Sequence, residues 1–268
     1  MPPKNKAAQP LNPAPPSPPA SFPKASPKAS PKASSASSIL SIQLEIARRK
    51  THAHSLCATG NAHFDANNLP AAVTSYTAAL KAAPNHLESW GNRANCYKEM
   101  GEYEKAIHDS QKSCDLIMKL LTEVQTEEEQ TLTSRTSELT FNLAVTHYNT
   151  AECYFNLGQY YPALHQCDST LRLRPSFKEA LCVRGATHNA LGHHAAAIVD
   201  LDEALKGNYK YGIALRHRGI ARCMLKRYHE ATRDFERCLK LDQEDEASKK
   251  WLLTAKAELR KEEEEAER

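Results

Sequence analysis

The side chains best suited to bind metal or act as nucleophiles are the eight cysteines and twelve histidines. The cysteines form no C-x-x-C pair, and each falls on a predicted helix in place of a small apolar residue. Cysteine-based zinc and redox sites commonly use such pairing, so we expect free thiols that fill the core in a reducing compartment. His52 and His54 are too close on one helix to share a face, and His193 and His194 lie in a predicted turn. No metal ligands are predicted.

The sequence carries none of the common short motifs of catalysis. It contains no G-x-G-x-x-G, G-x-x-x-x-G-K-[ST], H-E-x-x-H or G-x-S-x-G. These patterns would build a phosphate loop, a catalytic zinc site or an exposed nucleophilic serine. We therefore predict no catalytic residues and no cofactor, and we expect that the protein is not an enzyme.

The first part of the chain differs sharply in composition from the rest, because eleven of the fifteen prolines lie before residue 32. Its Pro, Ser, Ala and Lys cannot bury enough apolar surface to offset chain entropy. Ser26 and Ser30 each precede Pro and then Lys, which suits proline-directed kinases, although an unmodified spacer is the alternative. Dispersed lysines without interleaved aromatics would contact nucleic acid only weakly, so nucleic acid is not an expected partner.

No stretch approaches the roughly 20 apolar residues that a membrane span requires, and no charged start followed by an apolar core marks a secretory signal. We expect no membrane span. The predicted location is the cytoplasm, with the nucleus as an alternative.

Five alanines recur at regular intervals after the proline-rich segment. They are separated by 34, 57, 34 and 34 residues, and each follows a turn and a bulky residue. Self-similarity at a fixed period indicates a structural repeat. The five are Ala72, Ala106, Ala163, Ala197 and Ala231.

A 34-residue frame with these alanines at position 20 starts at residues 53, 87, 144, 178 and 212. Position 8 is always small, as two closely approaching helices require, and position 15 carries residues at which a helix ends and the chain turns. The second unit has Trp90, Ala94, Tyr97, Gly101, Tyr103 and Ala106 at its frame positions. This pattern resembles the tetratricopeptide repeat family. The resemblance implies an all-α fold, a right-handed solenoid of antiparallel helical hairpins with a C-terminal capping helix.

We expect a disordered tail over residues 1–38 and a repeat domain over 39–268, with a first helix that begins near Ser38 or Ser41. Between units two and three lie 23 extra residues, which we interpret as an elongated helical hairpin over 117–143. This hairpin is either simple mutual packing or a protruding docking surface. Its first helix should run to about Glu129, and its second should be capped near Ser134 or Thr136. The predicted repeats are 53–86, 87–120, 144–177, 178–211 and 212–245, followed by a capping helix over 246–265.

In this family the first helix of each hairpin lines a concave groove, so the resemblance implies a peptide-binding surface. The residues at its positions are rich in amides, with scattered aromatics. Asparagine both donates and accepts hydrogen bonds, so it can hold an extended backbone without selecting a side chain. Alternatively, each asparagine is simply solvated or bonded locally. The candidate groove residues are Asn61, Phe64, Asn92, Asn95, Tyr148, Asn149, Phe155 and Arg216.

One subfamily of these repeats binds the acidic C-terminal tails of heat-shock chaperones through a carboxylate clamp. Asn61 and Asn92 resemble its two asparagine elements, but the first lysine position holds Cys57, and the third helix offers Val145 and Asn149. Each missing charge-assisted bond would cost roughly 1.5–3 kcal/mol.

The expected function is a non-catalytic adaptor that binds a protein or peptide partner in the groove. A heat-shock chaperone is one candidate partner, which would make the protein a co-chaperone. The alternative is a scaffold subunit of another intracellular assembly, without clamp binding. The sequence leaves the partner and the oligomeric state open.

Overall fold

The structure, a computed structural model, describes residues 32–124, 129–207 and 211–268. Within these ranges the chain forms eleven α-helices and no strand. The helices are α1 (Lys32–Asp65), α2 (Leu69–Ala82), α3 (Leu87–Glu99), α4 (Tyr103–Val124), α5 (Glu129–Asn156), α6 (Tyr160–Leu173), α7 (Lys178–Ala190), α8 (His194–Leu205), α9 (Gly212–Met224), α10 (Tyr228–Leu241) and α11 (Glu246–Ala266). The candidate phosphorylation sites Ser26 and Ser30 lie outside the described residues, as does most of the predicted disordered tail.

The chain divides into two compact units, residues 1–45 and 46–268, and α1 crosses the boundary. The described part of the first unit is the start of α1, where Ile39, Leu40 and Ile42 are exposed. The prediction that the first helix begins near Ser38 or Ser41 is wrong, because α1 begins at Lys32. No proline lies between Lys32 and the end of α1, so the backbone can remain helical through Ser38 and Ser41.

Within residues 46–268, every predicted turn at frame position 15 adopts the left-handed conformation. Gly101, Gly158 and Gly192 have φ of +76°, +72° and +78°. Asn67 and Lys226 occupy the same position with φ of +56° and +59°. A positive φ reverses the chain after a helix and satisfies its last carbonyls. The conformation therefore ends the first helix of each hairpin at the same place in all five repeats.

The two helices of each hairpin meet at the small residues predicted for this purpose. A Cβ added at Gly219 on α9 would lie 2.7 Å from Cε1 of Phe235 on α10, and one at Gly185 would lie 2.7 Å from Cγ of Leu201. The frame-position-20 alanines face the same contacts and are at most 1 % exposed. Small side chains at both positions let large ones from the opposite helix fill the space between the two backbones.

The long hairpin between units two and three consists of α4 and α5, which pack through Cys114, Ile117, Leu139 and Leu143. The start of its second helix differs from the prediction. The described part of α4 reaches Val124, and the residues between it and the predicted end near Glu129 lie outside the described ranges. The expected caps at Ser134 and Thr136 are wrong, because both residues lie inside α5, which includes Glu129. The sequence of α5 contains neither glycine nor proline, so nothing stops the helix from starting early.

Three arginines at frame position 7 join consecutive repeats, and we call these contacts the arginine clasps. Arg93 on α3 donates to both carboxylate oxygens of Asp109 on α4, at 2.6 and 3.0 Å, and to Thr77 on α2 at 2.9 Å. The other two clasps repeat this geometry with a second aspartate in place of the threonine. Arg184 binds Asp200 and Asp168, and Arg218 binds Asp234 and Asp202.

The final helix covers the apolar end of repeat five. Ala255 is fully buried, and Trp251 and Leu252 pack around it against Phe235 of α10. The outward side carries the exposed Lys256 and Lys261, and Leu253 is exposed there as well. One apolar side and one polar side are what the terminus of a stacked array requires. Across the described ranges, every helix is too short or too polar to span a bilayer.

Candidate functional site

The candidate residues lie on the first helices of the hairpins, on a face that we call the groove face. Asn61, Phe64, Asn92 and Asn95 line one depression of about 230 Å³ where α1 meets α3. A second depression, of about 180 Å³, lies between α3 and α5 and includes Asn92, Asn95 and Asn149. The fold therefore brings together the amides that the sequence placed in separate repeats.

These amides are bonded to one another rather than left open. Asn61 Oδ1 accepts from the hydroxyl of Tyr76 at 2.7 Å and from Asn92 Nδ2 at 2.9 Å. Asn95 Oδ1 accepts from Asn149 Nδ2 at 2.9 Å. Each bond joins two neighbouring repeats or the two helices of one hairpin. The asparagines thus fix the spacing of the helices, and a ligand would use their remaining donors and acceptors.

Lys98 is the cation of this amide region, and it is already paired. Its Nζ donates to Glu152 Oε2 at 2.8 Å and to Asn149 Oδ1 at 3.0 Å. The same ammonium lies 5.9 Å from the centre of the Tyr148 ring, within cation–π range. A ligand carboxylate that sought Lys98 would have to displace Glu152.

A third depression, of about 210 Å³, lies between α5, α7 and α9, and we call it the aromatic depression. It is lined by Tyr148, Phe155, Tyr211 and Ile213, with His217 among its polar groups. The rings of Tyr148 and Phe177 lie 5.3 Å apart, and Ile213 is 49 % exposed. Aromatic and aliphatic walls on an open surface are the usual setting for an apolar anchor of a bound partner.

The aromatic depression is close to neutral at physiological pH. Burial, together with Glu152, raises the pKa of Tyr148 well above its usual range, and burial and Cys182 do the same for Tyr211. Burial and the nearby Arg216 lower the pKa of His217 to about 4. The tyrosines therefore stay protonated and the histidine stays uncharged, and Glu152 is neutralised by Lys98.

Sequence reasoning overlooked Tyr211, the residue before α9. A signal for it exists, because Tyr211 stands at frame position 34, where repeats one and three carry His86 and Phe177. Each of these three residues is the N-cap of the next first helix. Repeats one, three and four thus place a ring at the start of the next groove helix.

Arg216 occupies the groove position predicted for it, but its charge is committed elsewhere. Its guanidinium donates to Asp245 Oδ2 at 2.8 Å. Asp245 is the N-cap of α11 and also accepts from the backbone N–H and the hydroxyl of Ser248. The predicted binding residue is therefore also an anchor of the capping helix.

All eight cysteines are buried and free, which confirms their predicted role as core-filling thiols. Burial raises the pKa of each thiol, to about 12 at Cys167. The thiols thus remain protonated and poorly nucleophilic near pH 7.

The fold and the groove face define a class: an all-α protein of stacked helical hairpins whose first helices together form one continuous face. Residues 75–108 match the family model of the tetratricopeptide repeat. This match covers one repeat, and the chain has the solenoid fold that its resemblance to this family predicts.

Two relatives share parts of this sequence. The chain is 25 % identical to tetratricopeptide repeat protein 6 of Homo sapiens over 207 residues, covering 72 % of this chain and 40 % of that protein. It is 35 % identical to Hsp70-Hsp90 organizing protein 3 of Arabidopsis thaliana over 57 residues, covering 21 % of this chain and 10 % of that protein. The chain thus spans less than half the length of either relative.

Solved structures share the fold at lower identity. A tetratricopeptide repeat protein from Parabacteroides merdae superposes with a TM-score of 0.58 at 19 % identity, covering 78 % of this chain and 74 % of that one. MamA superposes with a TM-score of 0.55 at 17 % identity, covering 72 % of this chain and 92 % of MamA. YrrB, described as having an unusual peptide-binding site, superposes with a TM-score of 0.54 at 15 % identity, covering 75 % of this chain and 90 % of YrrB.

Proposed function

We propose that this protein is a non-catalytic adaptor that captures a segment of a partner protein on its groove face. The observation that carries the proposal is the aromatic depression, where Tyr148, Phe155 and Tyr211 form an open, neutral wall beside the amides of α3 and α5. An apolar side chain of the partner would enter this depression. The polar groups of the amides would bond to the partner backbone.

The paired cations favour a partner that does not depend on a terminal carboxylate. Lys98 is held by Glu152, and Arg216 is held by Asp245, which is only 7 % exposed. Breaking either pair to bind a carboxylate would exchange one ion pair for another, with little net gain. We therefore favour a scaffold role in an intracellular assembly. The buried free thiols support a reducing compartment, the cytoplasm or the nucleus.

The second candidate is a co-chaperone that binds heat-shock chaperone tails. It is supported by the similarity to Hsp70-Hsp90 organizing protein 3 and by Asn61 and Asn92, which stand side by side at 2.9 Å. Under this hypothesis an acidic tail would displace Glu152 from Lys98 and place its own carboxylate there.

Peptide selection with the full chain would separate the two candidates. We expect selected peptides to contain an aromatic or large aliphatic residue, and Phe155→Ala to weaken their binding at least about tenfold, or about 1.4 kcal/mol. Tyr161→Ala is the matched control, because Tyr161 is 72 % exposed on α6, outside the aromatic depression.

An acidic chaperone-tail peptide with a free or amidated C-terminus forms the second arm. Micromolar binding that is lost on amidation and in Lys98→Ala would establish the co-chaperone candidate. If Phe155→Ala and Tyr161→Ala bind the selected peptides equally well, the aromatic depression is not the site, and the adaptor proposal fails in this form.

A further inference from the structure

Three potential metal ligands meet where α1 passes the start of α3. His54 lies on α1, His86 is the N-cap of α3, and Glu88 is in the first turn of α3. One ligand atom from each residue lies within 4.8 Å of the other two. His54 and Glu88 are exposed, whereas His86 is only 8 % exposed. The cluster therefore has a fixed inner member and two members that can move from the solvent side.

The inner histidine is oriented as a metal ligand would be. His86 Nδ1 lies 2.8 Å from the hydroxyl of Ser89, which is fully buried, and His86 Nε2 lies 2.9 Å from His54 Nδ1. Metal-binding histidines commonly use one ring nitrogen for the ion and the other for a hydrogen bond that fixes the ring. When His86 Nδ1–H donates to Ser89, its Nε2 presents a lone pair toward His54.

We propose that His54, His86 and Glu88 bind one divalent transition-metal ion, with zinc as the best fit. Two imidazoles and one carboxylate form a common set of protein ligands for zinc, and a water would complete four-coordination. The ligand atoms are His54 Nδ1, His86 Nε2 and a carboxylate oxygen of Glu88. This site goes beyond the proposed adaptor function and is independent of it.

The two facing nitrogens need only a small shift, whereas the exposed Glu88 side chain, whose oxygen lies within 4.8 Å of them, must come closer. Nitrogens bound about 2.0–2.1 Å from one tetrahedral ion lie about 3.3 Å apart, so the pair must open by only a few tenths of an ångström from the 2.9 Å separation. The proton balance is simple. A proton on Nδ1 of neutral His54 is lost to solvent while Nε2 gains one, so both rings stay neutral and both facing nitrogens offer lone pairs.

The cluster opens into a depression that carries charges of both signs. Its cations are Lys50 and Arg135, and its carboxylates are Glu138 and the proposed ligand Glu88. An ion there would connect α1 to α3, two helices of different repeats.

The test is a zinc titration of tag-free, chelator-treated full chain by calorimetry and thermal melting. We expect one zinc per chain and a higher Tm with zinc. His54→Ala and Glu88→Gln should each weaken binding at least about tenfold, the lower end of what changes around metal sites cause. His52→Ala is the matched control, because His52 is exposed on the same helix and should leave zinc affinity unchanged.

The absorption spectrum of the protein with cobalt in place of zinc shows whether sulfur or only nitrogen and oxygen bind the metal. A d–d spectrum without a thiolate charge-transfer band is expected, because the three ligands are nitrogen and oxygen. The proposal is overturned if wild-type chain binds no zinc, if His54→Ala retains the wild-type affinity, or if a thiolate band shows that a cysteine holds the metal. Ser89→Ala tests whether the hydrogen bond from Ser89 positions the His86 ring. This variant should bind zinc more weakly but still bind one zinc per chain.

Discussion

The carboxylate of Asp245 accepts a hydrogen bond from Arg216 at 2.8 Å, which ties the start of α11 to the groove helix α9. The same oxygen, Oδ2, also accepts from the hydroxyl of Ser248 at 2.8 Å. The cap of the repeat array and the last helix of the groove therefore share one carboxylate.

Asp245 should make the stability of the protein sensitive to acid. Burial raises the pKa of Asp245, but the opposing effect of hydrogen bonds from Ser248, Arg216 and Cys238 is larger. The net result is a pKa of about 2, compared with an ordinary 3.8. A carboxyl with a depressed pKa stabilises the fold above its ordinary pKa and loses that contribution as the pH falls toward the depressed one. Asp245→Asn should lower the urea midpoint at pH 7, and its difference from wild type should shrink between pH 4 and 2.

Arg216→Met should destabilise the protein by about 2 kcal/mol at pH 7, because a charged hydrogen bond is lost and the buried carboxylate keeps fewer donors. Circular dichroism during urea unfolding would measure this. Lys249→Met is a control, because Lys249 pairs only with exposed carboxylates, Glu244 and Glu246. An equal loss in both variants would show that Asp245 does not depend on Arg216.

Breaking an arginine clasp should cost more than removing a surface ion pair. Arg93→Met leaves Asp109, which is 2 % exposed, without its bidentate partner, and we expect a loss of about 3 kcal/mol. Arg93→Lys should retain only part of the stability that Arg93 provides, since a lysine ammonium cannot bridge both carboxylate oxygens of Asp109. The double variant Arg93→Met with Asp109→Leu should be more stable than Arg93→Met alone, and a double-mutant cycle in urea would quantify the coupling. A loss below about 0.5 kcal/mol in Arg93→Met would contradict the role given to the clasp.

Two glycine-to-alanine changes should have opposite effects on the stability of the protein. In Gly219→Ala the new methyl would lie 2.7 Å from fully buried Phe235, so we expect a loss of about 1–3 kcal/mol. In Gly91→Ala the nearest atom is Ser113 Oγ at 3.8 Å, and helix propensity should stabilise by about 0.5–1 kcal/mol. Thermal melting of the two variants checks both signs. Equal losses would mean that the close approach of α9 and α10 does not set the effect.

Lys226→Gly should stabilise the turn between α9 and α10. Lys226 has φ of +59°, a conformation that costs a residue with a Cβ about 1 kcal/mol or more. Glycine removes this cost but adds freedom to the unfolded chain, so the expected net gain is about 0.5–1 kcal/mol. Lys226→Ala removes the charge and keeps the strain. A gain of the same size in the alanine variant would assign the effect to charge.

The periodic part of the fold was predictable from the sequence. Ala72, Ala163 and Ala231 are buried because their spacing places them at the same helix contact in each repeat, and Gly101 ends its helix as its type requires. Helix ends were less predictable, as the early start of α5 shows, since no residue there forbids or fixes a boundary.

The pairing of polar side chains could not be predicted, because it depends on how helices from different repeats align. Arg216 was identified as a groove cation, yet it bonds to Asp245, 29 residues later. His54 was compared with His52, whereas its contact is His86, 32 residues later. Asn61 was expected to face a ligand, yet it also accepts from the hydroxyl of Tyr76.

The arginine clasps join some neighbouring repeats but not all of them. One clasp joins α2 to α4 through Arg93, and two join α6, α8 and α10. At the junction of α4 with α6 the equivalent positions hold Gln111, Thr150 and Gln166, which bond to Asp115, Thr146 and His147. Repeats two and three are instead joined by the apolar contacts of α4 with α5 and by the bonds of Lys98 and Asn95 to α5. In a stacked array, cooperativity is a sum of neighbour couplings, so this junction should respond to changes in α4–α5 packing rather than to the loss of a clasp.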